Sequence, residues 1–296
     1  MAVRQSSPKR GFFSLLPYSL LPCVLFFCLS AAAQDRPFQT PDAEIVPAGT
    51  LRAEVGFDFL QDVNFPVSGL TGDLTSVAGI NLRMGVGKII EVQLEGAVQN
   101  FLDVKKQVAG ITPITLTGPN STHDVGDFAL YTKLRLWGET SRRPAVAFRF
   151  GFLIPDSNQA RGIGTNTTNI FAALIAQKHF WKLNTFGTLG VGILQAPGTV
   201  FSQNDVLTYG AAFTYPLHKR VNLAGEVYGR YNSRKLTPAL FGTESRSQAR
   251  GGFQIFAGGF QWDVAGIAGL SKHDASSGFT FGLSRDIRLF DFGKIQ

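Results

Sequence analysis

Arg83, Glu91, Glu95, Asp127, Lys133, Arg135, Arg149, Glu226 and Arg230 stand at alternate positions in runs whose intervening residues are mostly apolar. Arg52, Glu54, Asp58, Asn81 and Asp263 share that spacing. In an extended chain, alternate residues lie on one face, so these polar groups can gather along a common surface. Mixed charges on a wet surface have two uses. Rings of them select solutes in a channel, or they pair with one another and fill a narrow barrel. By strand direction Arg83, Glu91 and Arg135 converge on one end. That predicts a charge cluster which narrows the bore there.

Catalysis would need a nucleophile or a carboxylate pair beside a histidine. The four histidines are His123, His179, His218 and His273. All fall in connections or at their edges, and His123 has a carboxylate next to it in sequence, Asp124. A solvated loop explains that pair. No catalytic residues, no metal ligands and no cofactor are assigned. Gly85-Val86-Gly87 is not a phosphate cradle, because no helix follows it.

The elements that must hold the charged set are strands. Val146, Phe148, Phe150, Phe152 and Ile154 alternate with Ala145, Ala147, Arg149 and Gly151, and Phe128 to Leu136 behaves alike. The pattern predicts strands at roughly 50–59, 74–84, 89–101, 126–136, 145–154, 169–177, 183–194, 207–215, 221–231, 248–256, 261–270 and 278–289. Each runs about ten residues, the length for a tilted crossing of a bilayer. Long and short connections alternate between them, as in barrels with short periplasmic turns and long outer loops. Trp137, Trp181, Tyr215, Phe260 and Trp262 fall at the short-turn ends, where an aromatic girdle is expected at headgroup depth. The fold class is therefore all-β: a transmembrane antiparallel β-barrel of about twelve strands in the bacterial outer membrane.

Composition agrees. Glycine (33) and phenylalanine (26) are abundant among the 296 residues. Residues 1–33 read as a cleaved signal peptide: Arg4, Lys9 and Arg10, then an uncharged apolar stretch, then Ala31-Ala32-Ala33. Removing the three basic residues of this segment takes the net charge from +7 to +4, too weak and dispersed to argue for nucleic acid. Cys23 and Cys28 leave with it, so the mature chain has no disulfide or thiolate. Residues 34–49, with Pro37, Pro41 and Pro47, show no alternation and read as an irregular periplasmic lead-in. Residues 50–296 are the barrel.

Residues 124–194 carry a family resemblance. Gly126-Asp127-Phe128-Ala129-Leu130-Tyr131-Thr132-Lys133-Leu134-Arg135-Leu136 resembles a GD-x-x-L-x-x-K-x-R-L strand. Pro144-Ala145-Val146-Ala147, Pro155 and the Gly162–Thr168 loop resemble the segments that follow it. These belong to the outer-membrane proteins named for the MetA pathway of phenol degradation. The resemblance implies a membrane barrel that passes small hydrophobic or aromatic compounds, with outer-membrane lipid and a small solute as partners. An outer-membrane enzyme of lipase or protease type, or a structural or surface-interaction barrel, are the alternatives. The chain departs from the usual terminal aromatic of such barrels: Phe290 and Phe292 precede a short tail.

Overall fold

The computed structural model describes residues 36–198 and 202–291. The expected signal peptide and Phe292 lie outside the described residues. The strands are β1 (Thr50–Phe65), β2 (Leu70–Gly85), β3 (Ile90–Gln107), β4 (Ser121–Asp124), β5 (Phe128–Trp137), β6 (Ala145–Ile154) and β7 (Asn169–Phe180). They continue with β8 (Leu183–Ala196), β9 (Ser202–His218), β10 (Val221–Tyr231), β11 (Arg246–Ala257), β12 (Phe260–Gly269) and β13 (Ser277–Arg288). Neighbours in sequence pair antiparallel, β1 pairs β13, and β2 pairs β3, so the sheet closes. The short β4 and β5 both pair with β3 and share one place in the wall. Among the described residues, thirteen strands thus make a twelve-position barrel.

Closure satisfies every wall strand's backbone groups without an edge, the condition for crossing lipid. No helix among the described residues is long and apolar enough to cross; the strands do it. The faces are inverted relative to a water-soluble protein. On β6, Phe148, Phe150 and Phe152 are exposed, whereas Ala145, Ala147 and Gly151 are buried inside. On β12, Trp262 and Val264 face out while Gln261, Asp263, Ala265 and Ile267 face in.

The turns at one end are 86–89, 138–144, 181–182, 219–220 and 258–259. Gly258 and Gly259 both take positive φ, 63° and 78°, the twist a two-residue hairpin needs. At the other end 108–120, 155–168 and 232–245 are long, 270–276 is intermediate and 197–201 is short, where the sequence pattern predicts a longer loop. The expected long loop between the first two strands is a tight turn at 66–69, because β1 and β2 run on well beyond 59 and 74. The pairing of β1 with β2 shifts register between Gly56 and Asp58 and between Leu60 and Val63. A bulge keeps the ladder but breaks the alternation, which is why the sequence pattern stops short there.

Candidate functional site

The inside of the barrel falls into two levels. The lower level is filled by residues 36–49, which form no strand. They circle the inner wall. Ala48 bridges to Gly85 at the end of β2, and the Val46 amide donates to Glu91 of β3 (2.7 Å). Asp42 meets Lys133 of β5 (3.2 Å), and the Ala43 amide donates to Gln177 of β7 (3.0 Å). The Gln39 and Thr40 amides donate to the Glu226 carboxylate of β10 (2.9 and 3.0 Å). Phe38 packs edge-on against Phe186 of β8 (5.3 Å). Arg250 of β11 donates to the Pro37 carbonyl (3.2 Å). Arg36 donates to Thr280 of β13 (2.8 Å) and pairs with Asp263 of β12 (3.4 Å).

This path explains the composition of the lead-in. Pro37, Pro41 and Pro47 bring no amide hydrogen to be stranded inside the barrel. The remaining amides named above each find a wall carboxylate or amide. The wall also makes room. A Cβ at inward-facing Gly85 would collide with the Val46 carbonyl oxygen, and one at Gly210 with Thr40 Oγ1.

A charge cluster is assembled around Asp42, a residue the sequence pattern did not single out. Lys133 lies 3.1 Å from Glu91 and 3.2 Å from Asp42, and Arg83 lies 3.0 Å from Glu54 and 3.8 Å from Asp42. All five side chains are buried. Arg135 stands apart at the rim, donating to the Lys88 carbonyl (2.7 Å) with Glu44 at 3.7 Å. Asp127 lies near the other end, accepting from the Asp156 and Ser157 amides (3.1 and 2.8 Å).

Above the lead-in is a cavity of about 470 Å³. Its floor is Gln39, Thr40 and Pro41. Tyr131 and Phe171 line one wall, with ring centroids 6.3 Å apart, and the Arg149 guanidinium lies 3.6 Å over the Tyr131 ring. Glu95 pairs with Arg149. The opposite wall, by strand order, holds Tyr228, Arg230, Arg246 and Gln248. Tyr228 donates to Gln248 (2.7 Å), and Arg230 donates to the Glu244 and Gly242 carbonyls (2.8 and 3.0 Å). Glu95, Arg149 and Arg230 therefore belong to the cavity, and Arg83, Glu91, Lys133 and Glu226 to the packed base.

The connections at the loop end interlock over the cavity. The Ile111 amide donates to the Val67 carbonyl (2.8 Å), the Thr115 amide to Ala160 (2.7 Å), and Gln159 to Pro197 (2.8 Å). Val67, Leu70, Leu102 and Leu194 are buried in that end. A larger hollow of about 1180 Å³ lies against β7–β11, bordered by outward-facing Gly187, Ala211, Gly225 and Gly251 between Phe213 and Phe253.

Trp137, Trp181, Tyr215 and Trp262 are exposed at the turn end, and Phe260 packs beside Trp262 (6.3 Å). The histidines take no part in the lumen's lower network. His123 on β4 meets Gln99 (3.1 Å), His179 meets Glu139 (2.7 Å), and burial pushes the His273 imidazole below its ordinary value. His218 ends β9. In the 138–144 turn, partial burial opposes ionisation of Glu139, but bonds from His179 and Lys178 outweigh it and hold the carboxyl down to about 2.

With this geometry in hand the comparisons are direct. The model of the family of the MetA-pathway of phenol degradation matches residues 34–289. The chain belongs to that family. The match covers the lead-in as well as the wall, so both are family features. Among solved structures, the COG4313 outer membrane channel from Pseudomonas putida F1 is similar at TM-score 0.62 and 12% identity, covering 83% of this chain and 98% of that one. A Pseudomonas aeruginosa FadL homologue shows TM-score 0.41 and 9% identity over 83% and 91%. No curated protein matches the sequence. The closed barrel and its exposed apolar band place this family member in the bacterial outer membrane.

Sequence reasoning missed Arg36, Phe38 and Asp42, because an aperiodic segment signals nothing about where it docks. It also passed over Tyr131, Phe171, Tyr228 and Arg246. Tyr131 stood in plain alternation with Lys133 and Arg135, and attention to uncharged inward positions would have found it.

Proposed function

We propose that this protein is an outer-membrane channel that passes small aromatic or apolar compounds, and that the cavity above the lead-in is where the solute pauses. The single observation carrying this reading is that cavity: about 470 Å³, within the range of small-molecule sites, and walled by Tyr131, Phe171 and Tyr228. Aromatic walls favour ring-shaped solutes through dispersion and quadrupole contacts. Family membership supports it, and the similar barrel from Pseudomonas putida F1 is itself an outer membrane channel.

Passage downward requires the lead-in to shift, since residues 36–49 occupy the lower bore. The charged base then acts as a seat for the lead-in more than as an open selectivity ring. The test is solute uptake by liposomes carrying the purified protein. Benzyl alcohol should enter faster than in protein-free liposomes, and removal of residues 36–46 should speed it several-fold. Uptake equal to that of empty liposomes with both chains would overturn the reading.

A further inference from the structure

The hydrogen-bonding state of the cavity arginines separates them. Arg149 is paired with Glu95 and also donates to Gln93 (2.6 Å). Arg230 is engaged by two carbonyls and lies 3.7 Å from the Glu244 carboxylate. Arg246 has a different situation. Among the described residues it makes one hydrogen bond, to the Asn64 carbonyl (2.9 Å), and no ion pair. A guanidinium offers five N–H donors, so most of its fork remains available.

The neighbouring acid does not fill that fork. Asp274 lines the same cavity, yet its oxygens accept from the Ser247 amide (2.6 Å), Ser271 (2.6 Å) and Gln248 (3.4 Å). It is held by the 270–276 connection. A planar guanidinium with spare parallel donors suits a carboxylate, which it can bind through two N–H groups at once. Across the cavity, the Tyr131 hydroxyl has no protein partner among the described residues, and its ring stands beside Phe171. The floor and sides between the two walls are Gln39, Thr40, Pro41, Ala173, Thr188 and Thr208, which carry no charge.

We propose that the cavity's ligand is a small aromatic carboxylate, with its carboxylate on Arg246 and its ring against the cavity-facing side of Tyr131 and Phe171. This rests on the channel reading and narrows it from aromatic compounds in general to aromatic anions.

The experiment uses the mature chain in detergent micelles and in liposomes, with benzoate, benzyl alcohol and acetate as probes. Equilibrium dialysis in micelles should show saturable benzoate binding about tenfold or more tighter than benzyl alcohol or acetate. Arg246→Gln should weaken benzoate about tenfold, with the heat-dependent gel shift typical of intact barrels reporting that the variant has folded. Arg142→Gln, on the exposed turn, should change neither. Equal binding of benzoate and benzyl alcohol, or benzoate binding indifferent to Arg246→Gln, would overturn the anion proposal while leaving the channel reading in place. Absence of benzyl alcohol and benzoate uptake together would instead overturn the channel reading.

Discussion

The base of the lumen and the cavity above it are made from the same strands and the same residue types, yet they are finished differently. In the base, Arg83, Lys133, Glu54, Glu91 and Asp42 are buried against one another, and the lead-in amides take up remaining carboxylate oxygens. In the cavity, Tyr131, Tyr228 and Arg246 border empty space. The difference lies in what the lead-in covers. Charges under it have lost their water and must be paired. Charges above it keep solvent and can exchange it for a solute. The lesson is that a barrel's inner face is not one environment, and that a short aperiodic segment can set the boundary.

That comparison can be broken most forcefully at Lys133. Lys133→Met leaves Asp42 and Glu91 buried without their shared cation, and loss of one partner of a buried pair costs about 3–5 kcal/mol. Urea unfolding in phospholipid vesicles, followed by tryptophan fluorescence, should show this loss; an unchanged midpoint would mean the base is as wet as the cavity. Phe38→Ala should cost about 3 kcal/mol, and single-channel conductance should rise because the lead-in loses its apolar anchor on Phe186.

In the cavity the corresponding change should be milder. Arg149→Gln removes the Glu95 pair and the stack on Tyr131, both bordering solvent, and should cost about 1 kcal/mol. A loss as large as that at Lys133 would erase the distinction between the two levels. Glu91→Gln and Arg135→Gln sharpen it further. The buried Glu91 change should alter conductance by loosening Val46 and Lys133, while Arg135→Gln, at the rim, should leave conductance and ion preference nearly unchanged.

The smallest effect is expected outside the membrane. Glu139, held at about 2 in place of its ordinary 4.5, ties the 138–144 turn to Lys178 and His179 (3.0 and 2.7 Å). Because the folded value is depressed, its contribution is fully present above pH 4.5 and fades as pH falls toward 2. Glu139→Gln should cost less than about 1 kcal/mol near neutral pH. The difference between variant and parent should vanish as the medium is acidified through that window.

Alternation alone was enough to read the wall: Phe148, Phe150 and Phe152 could face only lipid, and Arg149 faced the bore by the same parity. It also brought Arg83, Glu91 and Arg135 to one end, although it is Lys133 that sits between Glu91 and Asp42 while Arg135 stands at the rim. It failed where β1 and β2 bulge, since one extra residue cancels the period while the hydrogen-bond ladder continues. It failed again at residues 36–49, where no period exists to be read.

What the amino-acid order determined by itself, then, was the closed wall, its two faces and its address. A period of two is a local property, and lipid outside with water inside enforces it at every strand. Only the tertiary structure decided that Asp42 completes the Lys133 cluster, that the lead-in rings the base, and that Arg246 faces a cavity with donors to spare. Those facts depend on contacts between residues far apart in sequence, where burial and partner geometry, not local preference, select the arrangement.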